Sequence, residues 1–264
     1  MAQSDVLAAA ARRDRAILVA GLVGIAGLAW AYMVRMAAAA AHGHSCHGMA
    51  EPLVRPWGGW EILMAFSMWT AMMVAMMLPI VAPWLLALSG TRRGRDPGGA
   101  PFGTVGLFLA GYVVVWTGYS AAAAVGQWGL GAAALLSPRL VSTSPVLGGV
   151  LLVAAGLYQW TPWRDACMTH CRSPLGFFMT SWREGRWGAF SMGLRHGLYC
   201  VGCCWILMAL SFVFGVMNIL WMAGITVFIL AEKIASWGPR VGKAAGLALA
   251  GYGLWMLARA VMPI

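Results

Sequence analysis

Charged side chains are scarce in this sequence. Only 10% of the 264 residues are charged and only eight are acidic, whereas 61% are hydrophobic. An ordinary soluble domain has about 25% charged residues. The composition therefore excludes a typical soluble domain and indicates an integral membrane protein, and it leaves few carboxylates for a magnesium or calcium site.

Several motifs of well-defined enzyme classes are also missing. The sequence has no CxxCH for covalent haem, no Walker loop and no glycine-rich dinucleotide fingerprint at the start of a helix. It has no internal repeat of fixed period, and no serine nucleophile with a base and oxyanion donors can be assembled. No enzyme class follows from these patterns, and we expect a protein that is more readily a binding protein than an enzyme.

Apolar runs long enough to cross a bilayer recur along the whole chain. A hydrocarbon core about 30 Å thick needs about 20 helical residues. The runs are continuous rather than alternating, which favours helices over barrel strands. The prediction is one all-α domain, residues 1–264, forming a polytopic transmembrane bundle of about seven helices at 16–40, 60–89, 103–126, 145–163, 188–215, 218–236 and 243–262.

Basic residues predict the orientation of this bundle. They precede the first helix and concentrate in the loops after the second, fourth and sixth helices. The positive-inside rule then places the N-terminus of a multi-pass membrane protein in the cytoplasm. The net charge of +10 is explained by this topology, so the partner is the lipid bilayer and no nucleic acid is expected. The first apolar run exceeds the usual length of a cleaved signal, which favours a retained helix.

The fifth predicted helix contains a cluster of soft ligands, in the stretch RHGLYCVGCCW at 195–205. At 100° per residue, one helical face carries His196, Cys200, Cys203 and Cys204. The four lie along the middle of the segment. Because they spread along the axis, one helix cannot surround a metal ion with all of them, and further ligands must come from another element.

The stretch CMTHCRSP follows the fourth predicted helix and offers such ligands, namely Cys167, His170 and Cys171. A single buried cysteine often acts only as a small apolar residue. Five of the six cysteines, however, fall into two tight groups, each with a histidine within four residues. This clustering predicts metal or redox chemistry.

The second predicted helix carries a methionine-rich face. It includes Met72, Met73, Met76 and Met77, followed by Pro79. Thioethers are soft ligands that suit Cu(I), although methionine also fills gaps between helices with no further role. The proline predicts a kink in this helix.

A short loop between the first two helices, HGHSCHGM, adds His42, His44, Cys46 and His47. Short Cys/His tracts are typical of metal binding, and the predicted topology places this one outside the cytoplasm. A disulfide within the loop is excluded because it has one cysteine. An accident of composition is the alternative.

Three motifs together resemble a bacterial family of predicted metal-binding integral membrane proteins of unknown function. They are MWTAMMVAMMLP, YQWTPWRDACMTHCRSP and RHGLYCVGCCWILM, and the resemblance covers roughly residues 55 to 260. It implies a metal-binding role without an activity. The residues that it points to are Met72, Met73, Met76, Met77, Pro79, Gln159, Pro162, Cys167, Cys171, Pro174, His196, Cys200, Cys203 and Cys204. Arg164 stands where other members often have lysine, and the outer His/Cys loop lies outside the shared motifs.

Three functions remain open from the sequence. The first is binding of a soft metal, most readily Cu(I) with zinc as a second choice, for transport or for delivery to an apo-metalloprotein, with a metallochaperone as a further partner. The second is a quinone-coupled thiol–disulfide oxidoreductase that uses Cys200 and Cys203, with Cys167 or Cys171 as the relay. The third is a structural subunit of a larger membrane complex. Arg195 either pairs with Glu232 inside the bundle or extends to the interface.

Overall fold

A computed structural model describes residues 2–41, 58–95, 102–137 and 140–262 of the chain. Within these ranges the protein is helical, apart from turns and one isolated bridge between Leu136 and Ser142. The elements are α1 (Ala2–Ala41), α2 (Gly59–Arg95), α3 (Phe102–Ala132), α4 (Pro145–Tyr158), α5 (Pro162–Arg172), α6 (Pro174–Ser181), α7 (Gly185–Ala209), α8 (Ser211–Phe214), α9 (Ile219–Ile234) and α10 (Gly238–Val261). The all-α prediction is confirmed.

Five helical segments of the described residues are long and apolar enough to cross a membrane: 12–39, 59–91, 102–132, 185–214 and 238–261. This differs from the predicted seven, because α4 has 14 residues and α9 has 16. At about 1.5 Å per residue each is shorter than a hydrocarbon core. The described residues thus combine five long segments with four shorter helices, α4, α5, α6 and α9.

The predicted segment 145–163 is divided in the structure. α4 ends at Tyr158, and α5 begins at Pro162 after a turn. Thr161 caps α5 by accepting a hydrogen bond from the Arg164 backbone N–H, and a proline at the first helical position suits a new start because it lacks an N–H. Capping chemistry therefore overrides the apolar run at this point.

α2 stays helical through Pro79 and Pro83. A proline at position 79 cannot donate to the carbonyl of Ala75, four residues earlier. The indole Nε1 of Trp30 on α1 donates to that carbonyl over 3.0 Å. The bond satisfies a buried acceptor and joins α1 to α2.

Glycines bring the principal helices into close contact. An added Cβ on Gly193 of α7 would collide with the Phe108 backbone of α3, and one on Gly111 would collide with α7 in return. Gly149 and Gly253 make a similar crossing between α4 and α10. Small residues at helix crossings provide the close packing on which association in lipid depends. The α3–α7 crossing fixes the helix that carries Cys200, Cys203 and Cys204.

Candidate metal centre

Four thiols from two helices meet in the core of the bundle. Cys200, Cys203 and Cys204 come from α7 and Cys171 comes from α5, and each is at most 1% exposed. Each interacts with at least two of the others, and the sulfurs of Cys171 and Cys203 lie 4.0 Å apart. These four residues are called the thiol cluster below.

The spacing along α7 explains three members of the cluster. Residues three and four apart in a helix lie on the same face. The thiols of Cys203 and Cys204 donate to the carbonyl oxygen of Cys200 over 3.1 and 2.9 Å. These local bonds hold the two sulfurs beside the α7 backbone, and the Cys203 sulfur also faces Cys171 of α5.

Two polar groups from other helices contact the Cys200 sulfur. The Lys233 ammonium of α9 lies 3.0 Å from it, and the Tyr112 hydroxyl of α3 lies 3.1 Å from it. Lys233 is 7% exposed and Tyr112 is 2% exposed. An ammonium at this distance stabilises a thiolate, which is the form that binds metal.

The separation of Cys171 and Cys203 suits a shared soft ion. With metal–sulfur bonds of about 2.3 Å, two sulfurs on one ion lie about 3.8 Å apart in tetrahedral geometry and about 4.6 Å apart in linear geometry. The observed 4.0 Å falls in this interval. Across the described residues, no three Cys, His, Asp or Glu side chains are already arranged around a common point. The thiols of Cys203 and Cys204 bond the α7 backbone instead, so their ligation of a metal ion requires these bonds to break.

Cys167 lies one turn before Cys171 on α5, at the edge of the thiol cluster. Its sulfur packs against Gly202 of α7, where an added Cβ would approach to 2.7 Å. Burial and the nearby Cys203 raise the pKa of the Cys167 thiol. Hydrogen bonds to Cys200 and Cys203 raise the pKa of Cys171 well above its ordinary value. A raised pKa favours the protonated thiol, so a metal ion that binds these sulfurs has to displace a proton.

The two histidines of the shared motifs occupy different surroundings. His170 is exposed, with Nδ1 2.9 Å from the Ala166 carbonyl oxygen and its ring stacked on Tyr199 at 4.3 Å. His196 is 1% exposed, and its ring stacks on Trp84 at 3.8 Å. The structure therefore brings His196, but not His170, to the interior beside the thiol cluster.

His196 sits in an aromatic cage. The rings of Phe108, Tyr112 and Phe177 have their centroids within 5.9 Å of the imidazole, and Nδ1 has no hydrogen-bond partner. An unpaired imidazole nitrogen in an apolar interior retains a lone pair or N–H that a ligand can use. His196 stays a predicted ligand, one turn from Cys200.

The methionine face lies at the depth of the thiol cluster. Trp69 of α2 packs on Phe212 at 5.2 Å, and Trp84 stacks on His196 of α7, so the two segments run antiparallel. Met76 lies near the middle of residues 69–84, and Cys204 lies at the middle of residues 196–212. Met72, Met73, Met76 and Met77 are all at most 1% exposed.

A buried ion pair adjoins the thiol cluster, and the sequence pattern did not indicate it. The Arg164 guanidinium of α5 pairs with the Glu232 carboxylate of α9, and both side chains are 1% exposed. Arg195 does not pair with Glu232. It is exposed and lies over the Tyr199 ring at 6.0 Å, so the interior alternative for Arg195 is wrong.

Lys233 and Tyr112 were also missed as part of the site. Lys233 lies in the last turn of α9, and basic residues near a helix end are typical of membrane orientation. A charged residue directly after the apolar run of α9 was the available signal. The outer loop residues His42, His44, Cys46 and His47 lie outside the described residues, so their role stays a prediction.

The sequence model of one family, PpoB2, described as a copper chaperone, matches residues 66–256. The match includes the methionine face, α5 and the thiol cluster, and it covers well over half of the chain. No curated protein and no solved structure matches the chain. The chain therefore belongs to the PpoB2 copper chaperone family.

Proposed function

We propose that this protein binds Cu(I) within a transmembrane bundle through the thiol cluster and delivers it to an apo-metalloprotein. The observation that carries the proposal is the meeting of four buried thiols from α5 and α7 beside one ammonium group, with Cys171 and Cys203 4.0 Å apart. Family membership supports copper as the cargo.

The surrounding donors favour a soft monovalent ion. Thiolates, thioethers and imidazole select Cu(I), whereas carboxylates and carbonyls suit hard cations. The nearest buried carboxylate, that of Glu232, is already paired with Arg164. Zinc is the second candidate because thiolates are also common ligands of zinc.

The methionine face supports an entry or exit route for copper. Met72, Met73, Met76 and Met77 line α2 at the depth of the thiol cluster, and thioethers bind Cu(I) more weakly than thiolates do. A graded series of ligands permits stepwise transfer instead of permanent retention. In our proposal the outer His/Cys loop exchanges copper with a partner outside a bacterial inner membrane.

The thiol–disulfide alternative gains no support from the geometry. The five cysteines of the described part of the chain are free. The members of the thiol cluster are at most 1% exposed, whereas exchange requires access for an attacking thiolate. A buried, metal-like arrangement fits copper better than a partner disulfide.

The copper content of purified protein tests the proposal. Wild-type protein, Cys200→Ser/Cys203→Ser and Cys46→Ser are expressed with copper and zinc both available, purified in detergent under reducing conditions and analysed for metal. We expect about one copper per chain in the wild type and a loss of most of it in the double variant. Cys46→Ser makes the same substitution outside the thiol cluster and should retain the core copper.

Thermal unfolding and size-exclusion profiles of the three proteins identify any misfolded variant. A folded double variant with the copper content of the wild type contradicts the thiol cluster as the site. Copper-free wild-type protein that remains copper-free after reconstitution with Cu(I) contradicts the proposed function as a whole.

A further inference from the structure

Lys233 is a buried cation whose partners are sulfur atoms. Its side chain is 7% exposed, and its ammonium lies 3.0 Å from the Cys200 sulfur. It also interacts electrostatically with Cys171, Cys203 and Cys204. Burial of an ammonium group costs free energy unless an opposite charge or good hydrogen bonds compensate for it. The thiol cluster supplies its sulfur contact, and the Glu232 carboxylate attracts the ammonium less strongly than it attracts Arg164.

Other charges near α9 are already matched. Glu232, the neighbour of Lys233 in sequence, pairs with Arg164. Arg172 donates to the carbonyl oxygens of Glu232 and Ala235, each over 2.6 Å, at the negative end of the α9 dipole. The charge of Lys233 is therefore available to whatever the thiol cluster holds.

A charge count connects this cation with the valence of the bound metal. A monovalent ion held by two thiolates carries one net negative charge, which one ammonium neutralises. A divalent ion held by the same two thiolates is neutral, and Lys233 then adds an uncompensated positive charge. In a buried site, where the effective dielectric constant is far below that of water, such an imbalance lowers affinity strongly.

We propose that Lys233 is the fixed counter-charge of a two-thiolate site and makes that site selective for a monovalent soft ion over a divalent one. The inference rests on the proposed copper function and deepens it by naming a residue that determines specificity. Lys233 acts through the thiolates and does not itself bind the metal, because its ammonium has no lone pair.

The test compares charge and shape at position 233. Lys233→Met keeps a long side chain and removes the charge, whereas Lys233→Arg keeps the charge. Lys243→Met is the matched control, because Lys243 is 43% exposed and lies near Asp165, away from the thiol cluster. Each protein is purified metal-free in detergent and titrated with Cu(I), Ag(I) and Zn(II) in competition with chelators of known affinity.

We expect wild-type protein, Lys233→Arg and Lys243→Met to bind Cu(I) and Ag(I) in preference to Zn(II). In Lys233→Met the affinity for both monovalent ions should fall by at least about tenfold, while that for Zn(II) stays level or rises. The readout is the ratio of the affinity for the monovalent ions to the affinity for Zn(II), because a merely loosened site would lose affinity for all three ions.

Three results overturn the inference. They are equal falls for all three ions in a folded Lys233→Met, unchanged Cu(I) affinity in that variant, and loss of the preference in a folded Lys233→Arg. If Lys233→Met does not fold, the wild type and Lys233→Arg are compared instead. In that case, Zn(II) binding as tight as Ag(I) binding in either protein overturns the inference. A wild type that binds none of the ions refutes the proposed function, whereas a wild type that binds Cu(I) without dependence on Lys233 refutes this inference alone.

Discussion

Loss of Arg164 alone should destabilise the protein more than loss of Arg164 and Glu232 together. Arg164→Met leaves the Glu232 carboxylate, which is 1% exposed, without its guanidinium partner. Glu232 Oε2 has no hydrogen-bond partner, and the attraction of Lys233 and Arg172 for this carboxylate is weaker than that of Arg164. Removing one member of a buried pair costs about 3–5 kcal/mol, whereas replacing both by apolar residues is often neutral.

The matched control is the exposed neighbour of the same arginine. Asp165 is 45% exposed and lies 3.7 Å from Arg164 Nη1. An exposed pair of this kind contributes about 0–1 kcal/mol. Asp165→Asn should therefore change stability little, although it removes a carboxylate from the same arginine.

Thermal unfolding in detergent, followed by tryptophan fluorescence, measures these differences. For chains of this size each 1 kcal/mol corresponds to about 2–4 °C, so Arg164→Met should lower the Tm by about 6–20 °C. Asp165→Asn should lower it by about 4 °C at most. The double variant Arg164→Met/Glu232→Met should recover most of the loss. A double variant as unstable as the sum of its two single variants would refute the reasoning, as would equal shifts for Arg164→Met and Asp165→Asn.

Three further substitutions test the packing and the ligand environment. Gly193→Ala should lower stability by about 1–3 kcal/mol and reduce copper retention, because its Cβ would meet the α3 backbone. Gly118→Ala, with open space around its Cβ, should have neither effect. Thermal unfolding and metal analysis measure both variants, and equal effects would contradict the close α3–α7 crossing. Met76→Leu should slow Cu(I) uptake and change stability by no more than about 1.5 kcal/mol. Met33→Leu on α1, also at a buried methionine, should change neither the uptake rate nor the stability. Stopped-flow transfer from a Cu(I) donor measures the rates, and unchanged uptake in Met76→Leu would assign the methionine face to packing alone. Tyr112→Phe removes the hydroxyl that lies 3.1 Å from the Cys200 sulfur. In a chelator competition it should weaken Cu(I) affinity by about tenfold or less, as expected for one hydrogen bond. Loss of all binding would show that Tyr112 has a larger role.

The α7 half of the site could be predicted because helical periodicity fixes it. His196, Cys200, Cys203 and Cys204 fall on one face at 100° per residue, and all four are at most 1% exposed. Cys171 could be named as a companion from its sequence cluster. Its contact with Cys203 depends on how α5 lies against α7, which no local pattern specifies.

Long-range pairing of charges could not be predicted in the same way. The sequence indicates Arg195 as a partner for Glu232 only if the Arg195 side chain points into the bundle. The structure turns Arg195 outward over Tyr199 and brings Arg164 to Glu232 instead. Because charged residues near helix ends also set membrane orientation, Lys233 carried two possible meanings, and only the fold separates them.

The backbone breaks between α4 and α5 and at the end of α9 position residues around the thiol cluster. If one continuous helix replaced α4 and α5, it would run past α7 without the turn at 159–161. Cys171 would then not lie beside Cys203. The break instead starts α5 where Tyr158 donates to the Gly202 carbonyl, at the depth of the cysteines. α9 likewise ends at Ile234, where Arg172 satisfies its last carbonyl groups. Interrupted backbone within a membrane is tolerated where protein or a cavity satisfies its polar groups, and Arg172 does so at the end of α9. Both breaks lie beside Lys233 and the thiol cluster, which our proposal makes the metal site.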